Sequence, residues 1–531
     1  MHTSRKQILQ AERRIGPPAT GRSLPLVVVC YPNSYPVGMS NLAFHFLLHR
    51  LSGLRLRVER AFALPQAQGG RARTFESNEE ISHARVICAT VSYEDDLLQL
   101  VNLLRAAGLP LHSSERGRGD PLLILGGNAI SANPTVVAPM ADAIALGEFD
   151  GGDPLFDVIE RFARAEMSRD QCLETLQRDA HMYVPAFDGG GGEAVTRECT
   201  KLPTGYEAVA STIISPYSHF PDTLLIEINR SCVSSCRFCL ASYLSKPFRV
   251  ASRDSIIEQC ERWRGRASAV GLIGTAVTSY PGFESLCDEI RSMGFSVRLS
   301  SLRIEGLKRR TLELIADLGI RTVTLAPETA DERLRRCMGK RVSDETVGKV
   351  LAETDRLRFA KVKLYYMYGL PGEGDEDRGR IVDRVAVFRN TYKNNKIEYS
   401  INCLVPKAAT PMQWVPLANA KEIDRRRRLI VTAAKRKLRE TPVLASSANV
   451  LLQAALSLGD RETGEILIRG EATRGAVLRR LRTEHPRFEH MLHEEKGKDY
   501  RFAWDRITTG ATKAVLFRDY SRIAACVDRR E

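Results

Sequence analysis

Residues 223–243 read TLLIEINRSCVSSCRFCLASY. A short apolar run, Leu224 to Ile228, gives way to a polar loop that carries Cys232, Cys236 and Cys239. The run has the length and composition of a buried strand, and the loop sits at its carboxyl end. Five similar runs follow, SAVGLIG, FSVRLSS, RTVTLAP, KVKLYYMYG and EYSINCLVP, spaced by helix-like segments. Six β/α repeats in about 200 residues predict a parallel sheet curled toward a barrel, short of the eight strands that close one. Ligand chemistry in such a sheet belongs at the carboxyl ends of its strands.

Upstream, the same alternation begins earlier. Leu24 to Val29 is a strand-like run, followed by a Pro/Gly/Asn loop (31–41) and a helix-like stretch from Leu42 to Leu51. ARVICAT (84–90), PLLILGG (121–127) and ADAIALGE (141–148) add three more strands, so this part is predicted to be a doubly wound parallel sheet. GGGGE (189–193) has the composition of a flexible connection. After Trp414 the pattern turns helical. The expected fold is α/β, in five parts. These are an N-terminal arm (1–21), a Rossmann-like domain (22–188), a linker (189–215), a partial β/α barrel (216–420) and a mainly helical C-terminal region (421–531).

The 531 residues, 43% hydrophobic and 27% charged, are enough for more than one sizeable core and exclude a disordered chain or a membrane bundle. No apolar run approaches the roughly 20 residues that span a bilayer. The basic start MHTSRKQILQAERRIGPP lacks the apolar core of a secretory signal, so a cytoplasmic protein is expected. Twelve cysteines with no export signal argue against a disulfide framework.

The tight cysteine group therefore reads as metal ligation or redox chemistry. Twelve cysteines placed at random in 531 positions would give on the order of 0.006 triples with this C-x3-C-x2-C spacing. Offsets of 0, 4 and 7 would also stack three thiols on one helical face, but Arg230, Ser231, Ser234, Ser235 and Arg237 leave no apolar stripe there. Structural zinc would want a fourth ligand, and none lies nearby in sequence. Three soft thiolates suit an iron-sulfur cubane with one corner free.

With Phe238 ahead of the last cysteine, at the end of the first strand of a β/α series, Cys232, Cys236 and Cys239 resemble the signature of the radical S-adenosylmethionine (SAM) superfamily. The resemblance implies a 4Fe-4S cluster that binds SAM at its unique iron, and a 5'-deoxyadenosyl radical that abstracts a substrate hydrogen. It implies SAM contacts from Phe238, from Gly274 and Thr275 after the second strand, and from Ser301 and Arg303 after the third. Glu328 after the fourth strand and Gly369 after the fifth complete that set. The Gly-Gly-Glu common after the second strand is missing. No catalytic acid, base or nucleophile is assigned.

The Rossmann-like part ends its strands with Ser92-Tyr93-Glu94, Gly126-Gly127-Asn128 and Gly147-Glu148. It is similar to the cobalamin-binding domain that precedes the radical domain in one large subclass, and those eight residues are the implied cobalamin contacts. The Asp-x-His-x-x-Gly motif that gives cobalt a histidine is absent, and Pro32-Asn33-Ser34-Tyr35-Pro36 stands in its place. A vestigial fold that captures substrate is the alternative. If cobalamin is bound, the implied reaction is methyl transfer to an unactivated carbon. Without it, rearrangement, cyclisation or RNA modification are the other outcomes, and a non-catalytic cluster protein that binds nucleic acid or a partner is the contrasting class. Cys30, Cys88 and Cys172 do not match the spacing of the sulfur-insertion subclass.

The implied partners are a small-molecule, lipid or peptide substrate and an electron donor such as flavodoxin or ferredoxin. The net charge is +14, of which +9 lies between Lys421 and the end. A basic helix there, with Arg425 to Arg428, Lys435, Arg436, Lys437 and Arg439, is expected to pack against the barrel with its charges in water. Nucleic acid is the less favoured reading, since no RNA-recognition motif accompanies it. The resemblance also implies C-terminal helical segments that close over the barrel mouth, with Trp414, Trp504 and Tyr500 expected to line such a pocket.

Overall fold

The computed structural model describes residues 4–16, 21, 23–63, 70–149, 154–188, 197–300 and 302–528. Its N-terminal sheet has strands β1 (Leu26–Tyr31), β2 (Arg57–Phe62), β3 (Val86–Thr90), β4 (Leu122–Gly126), β5 (Ala143–Ala145) and β6 (Met182–Tyr183). The order is β2-β1-β3-β4-β5-β6, parallel throughout except for β6 against β5. Every residue of β1 is buried, because helices cover both faces. Val27 and Val29 pack with Phe44, Leu48 and Leu51 of helix α1 (Leu42–Ser52), while Val28 and Cys30 face α2 (Asp96–Ala106). Asn41 caps α1 by accepting from the Phe44 amide at 3.0 Å. With β1 between β2 and β3, strand order reverses there, and the crevice outside their carboxyl ends is where such sheets take ligands.

Strand β2 is one the sequence reading missed. RVERAF carries three charged residues, yet all six positions are buried. The charges are neutralised locally: Arg57 pairs with Glu59 and Glu79 at 3.0 and 2.7 Å, and Arg60 with Glu12 and Glu76 at 2.6 Å each. An apolar-run criterion is blind to a strand built this way.

All six runs expected for the barrel are strands: β7 (Thr223–Glu227), β8 (Ala269–Ile273), β9 (Ser296–Leu299), β10 (Thr322–Glu328), β11 (Lys361–Tyr368) and β12 (Lys396–Cys403). They form two parallel three-stranded ladders, β7-β8-β9 and β10-β11-β12. Helix α3 (Arg253–Arg262), helix α4 (Glu332–Cys337) and helix α5 (Asp375–Thr391) are among the connections.

The C-terminal region is helical as expected, with α6 (Ala420–Leu438), α7 (Ser447–Leu458), α8 (Arg461–Ile468) and a final α9 (Lys513–Asp528) among its helices. Much of it packs on the N-terminal domain. Leu451, Leu452, Ile466 and Leu467 share one core with Leu97, Val101 and Val137, and Asn133 donates to the carbonyls of Ser457 and Gly459 at 3.0 and 2.8 Å. The basic helix α6 meets α5 of the barrel, burying Ile430 and Ala434. Many of its cations are spent on neighbours: Arg425 reaches Asp375 and Glu422, and Arg426 and Arg427 pair with Glu422 and Asp424. Among the described residues no helix is long and apolar enough to cross a membrane.

Three expectations change. Residues 197–215 are not a free linker: the Cys199 backbone amide donates to Thr508 O at 2.9 Å, Thr200 bridges to Gly147, and Ile213–Ile214 pair with Arg13–Arg14. The glycine run 189–193 lies outside the described residues. One disulfide, Cys337–Cys526, joins α4 to α9, where none was expected. Trp414 and Trp504 are buried against Phe502, Trp414 edge-on and Trp504 stacked, in the core of the C-terminal region, and Trp504 and Tyr500 line a small recess of about 20 Å³ beside Asp460 and Arg487.

Candidate functional site

The cysteine loop hangs from the carboxyl ends of β7 and β8. Asn229–Arg230, just past β7, pair with Arg249–Val250, and the Asn229 carboxamide oxygen accepts from the Ala276 amide at 3.1 Å. A Cβ on Gly274 would stand 2.5 Å from the Asn229 side chain, so no larger residue fits there. The Thr275 hydroxyl donates to Ser231 O, and Ser231 Oγ donates to Ala241 O at 3.1 Å, which closes the loop on itself. Gly274 and Thr275, expected to touch SAM, thus also fix the loop. Ser300 Oγ reaches Gly274 O at 3.4 Å, and Ser301 lies outside the described residues.

All three cysteines of the loop are free thiols. Cys236 is buried and its thiol is pushed up to about 12 by that burial, with the Lys340 ammonium pulling the other way. Burial also raises Cys239, against hydrogen bonds from Ser242 and Ala241. Among the described residues no three His, Cys, Asp or Glu side chains are gathered around one point fit for a single metal ion. A cubane does not ask for that, since each thiolate goes to its own iron. Three unpaired soft donors on one braced loop fit the cluster.

The other expected SAM contacts divide. Arg303 lies against the loop, donating to Ser234 Oγ at 2.6 Å and to Ser279 Oγ at 3.1 Å. Glu328 is largely buried and paired with Lys340 at 2.9 Å. Phe238 is half-buried against the apolar group of Met338, Leu370 and Ile523. Gly369 donates its amide to Glu373 Oε2 at 2.5 Å, beginning the turn after β11. Lys340, Asn229 and the pair Arg230 and Arg249 were not singled out from sequence. Nothing in the local pattern marks them, because their partners come from distant segments.

A cavity of about 630 Å³ lies between the N-terminal sheet and the β7-β8-β9 ladder. One wall is the switch-point crevice of the N-terminal sheet, with Asn41, Thr90, Ser92, Gly126, Gly127, Asn128, Gly147 and Glu148. The facing wall is made by the two ends of the cysteine loop and the end of β8, with Asn229, Arg230, Ser231, Leu240, Leu244, Gly274 and Thr275; the three cysteines of the loop are not among its lining residues. Six of the eight residues expected to touch cobalamin therefore line one chamber. Tyr93 and Glu94 do not. Glu94 is buried against Lys407 at 2.5 Å, and the Lys407 ammonium lies over the Tyr93 ring, so this pair ties the domain to the segment after the barrel. The glycines at 127 and 147 are explained by protein as well, for a Cβ at either would overlap the backbone of Val91 or Thr200.

Glu148 joins the two halves across this chamber. It accepts from Arg230 at 3.0 Å and from Arg249 at 2.7 and 2.8 Å. Burial raises its carboxyl, but Arg249 and Arg230 outweigh that and hold it below the usual glutamate range. A depressed carboxyl stabilises the fold above its unfolded value and loses that contribution as pH falls through the folded one. Glu148→Gln is expected to cost about 2–3 kcal/mol at neutral pH, the scale of a hydrogen bond to charge. Urea unfolding at pH 7.5 and at pH 4 checks it: the gap between variant and wild type narrows in acid.

Two family models match the chain, "Radical SAM proteins, N-terminal" over residues 56–185 and "Radical SAM superfamily" over 226–385. An uncharacterized protein of Methanocaldococcus jannaschii is 25% identical over 447 residues, 83% of this chain and 90% of that protein. Among solved structures, the radical SAM methyltransferase TsrM from Kitasatospora setae is 12% identical, with 74% of this chain and 78% of that chain covered and a TM-score of 0.48. The cobalamin-dependent SAM radical enzyme OxsB is 11% identical, with 96% and 80% covered and a TM-score of 0.49. The stretch matched by the superfamily model opens with β7 and the cysteine loop and runs through β11 into α5, so this chain is a two-part member of the radical SAM superfamily.

Proposed function

We propose that this enzyme uses Cys232, Cys236 and Cys239 to hold a 4Fe-4S cluster and the chamber between its sheets to hold cobalamin, and that it methylates an unactivated carbon. The observation that carries the reading is the shared chamber, whose two walls are the switch-point crevice and the ends of the cysteine loop, residues 229–231 and 240–241. A ligand seated on the first faces chemistry launched from the second. When bound, the cluster with SAM supplies one-electron cleavage of a sulfonium and hydrogen abstraction, and cobalamin supplies a methyl group.

The chain's own residues prepare the chamber. Ser231, Thr275 and Asn229 hold the loop still, so the thiols need little reorganisation to meet iron. Leu240, Leu244, Ile124 and Leu125 give the space between the walls an apolar surface. On the N-terminal side, Ser40, Asn41, Thr90, Ser92 and Asn128 offer neutral hydroxyls and amides, which suit the amide-rimmed edge of a corrin. Thr90 is buried and its hydroxyl has no partner among the described residues, so a polar ligand there would satisfy it. No histidine lines the chamber among the described residues. His45, the nearest in sequence to the β1 loop, is buried against Met39 O at 3.1 Å, and burial pulls it down to about 4.

Protein produced with cobalamin available and purified anaerobically tests the reading through its visible spectrum and its corrinoid-to-chain ratio. Near-stoichiometric corrinoid is expected in wild type. Thr90→Trp, which fills the crevice, is expected to lose at least about tenfold in bound corrinoid at unchanged iron content, the scale of one lost pocket contact. Wild type that binds iron but no corrinoid would make the chamber a substrate site and would sink methyl transfer.

A further inference from the structure

Against the cysteine loop stands the turn that follows α4, whose residues do not line the chamber. The amide of Arg237 donates to Met338 O at 2.8 Å, and its guanidinium donates to Cys337 O. Gly339 has φ +74°, and a Cβ there would stand 2.5 Å from Ser235 O and 3.5 Å from the Arg237 side chain. Only glycine lets this turn press so close to the loop. The next residue is Lys340, and the turn delivers its ammonium into the interior.

Lys340 Nζ is 2.9 Å from Glu328 Oε1, with both side chains largely buried. It also lies within electrostatic reach of Cys236 and Glu305. Glu328 ends β10 at φ +68°, an unusual backbone for a residue with a Cβ, next to a register shift between Leu325 and Glu328. Burying an ammonium costs several kcal/mol unless it is paired. Here the pair stands on a strained strand end and on a glycine turn that is pressed against Ser235 and held by the Arg237 amide, the two neighbours of the middle cysteine. A purely structural ion pair needs neither device.

We infer that Lys340 is a positioning and tuning residue for the cluster, its ammonium offsetting negative charge at Cys236, with Glu328 holding the ammonium in place. This rests on the cysteine reading above. Thiolate ligation makes the site anionic, and one-electron reduction adds a further negative charge. A fixed cation at that spot favours the reduced state, and charge near a cluster is among the levers that set its potential.

The test is an EPR-monitored redox titration of anaerobically reconstituted full-length protein, without SAM so that no contact of Glu328 to it enters. Lys340→Met is expected to lower the ratio of reduced to oxidised cluster about tenfold at fixed solution potential, which is 59 mV for a one-electron couple. Lys340→Arg keeps the charge and is expected to stay within about threefold of wild type, about 30 mV by the same relation. Glu328→Gln keeps an amide oxygen to accept from the ammonium and so hold it, but removes the opposing anion, and is expected to shift the ratio upward. If Lys340→Met fails to take up iron, the Glu328→Gln shift decides alone. An unmoved potential in a fully loaded variant, or a downward shift in Glu328→Gln, overturns the inference. Wild type that takes up no four-iron cluster refutes the cysteine reading itself, which is a separate failure.

Discussion

Cys236→Ala is expected to abolish formation of 5'-deoxyadenosine, to below about 1% of wild type, when reconstituted protein is given dithionite and SAM. A loss of that size corresponds to at least about 2.7 kcal/mol of barrier, and removal of a ligand takes away the whole route. Cys236 is the buried member of the three and the one braced by the turn after α4, so its loss leaves two thiols on a loop shaped for three. The variant should still fold. A cysteine-to-alanine change removes one sulfur from a site that is not part of a main core cluster, and folding does not depend on metal in a chain with extensive cores of its own. Cys260→Ala is the control, a buried cysteine in α3 far from the loop, and should keep full iron content. Iron and sulfide analysis with product chromatography reads both. Cys236→Ala that retains four irons and product would mean that the ligands lie elsewhere.

The loop, its strand and the five that follow were readable because each rests on local pattern. A buried parallel strand is a continuous apolar run, and three cysteines at fixed spacing declare soft-metal chemistry. The same logic found β1, β3, β4 and β5. It failed wherever the deciding partner is remote. Strand β2 looks polar until Glu12, Glu76 and Glu79 are brought beside its arginines. Lys340 looks like an ordinary surface lysine until Glu328 is folded over it. The expectation that glycines at strand ends make room for ligand was half of the matter, since Gly127 and Gly147 first make room for backbone. Tyr93 and Glu94 were placed at the chamber from their position after β3, and a lysine more than three hundred residues away draws Glu94 elsewhere.

Strand β2 carries the largest stability effect expected in the molecule. Arg60 is fully buried, and its guanidinium donates to Glu12 at 2.6 and 2.8 Å and to Glu76 at 2.6 Å, while its backbone amide donates to Glu76 at 2.7 Å. Arg14 completes the group at 3.0 Å from each carboxylate, and Tyr35 donates to Glu12 at 2.7 Å. The two charges of each sign balance, which is why the group can be buried at all. Arg60→Met keeps much of the volume and leaves two carboxylates facing one arginine. Removing one partner of a buried pair costs about 3–5 kcal/mol. The damage should be local first, because Glu12 and Arg14 belong to the arm that pairs with Ile213–Ile214 ahead of β7. Limited proteolysis is therefore the sensitive readout: cleavage between Arg5 and Arg14 should accelerate on the order of a hundredfold, as about 3 kcal/mol of local opening implies. Arg60→Met combined with Glu12→Gln and Glu76→Gln removes the stranded charges and should recover part of that protection. Unchanged cleavage in the single variant would mean that the arm is held by its short strand and by the Arg5 and Arg13 contacts to Phe75, Glu76 and Asp222, and that the buried charges on β2 contribute little.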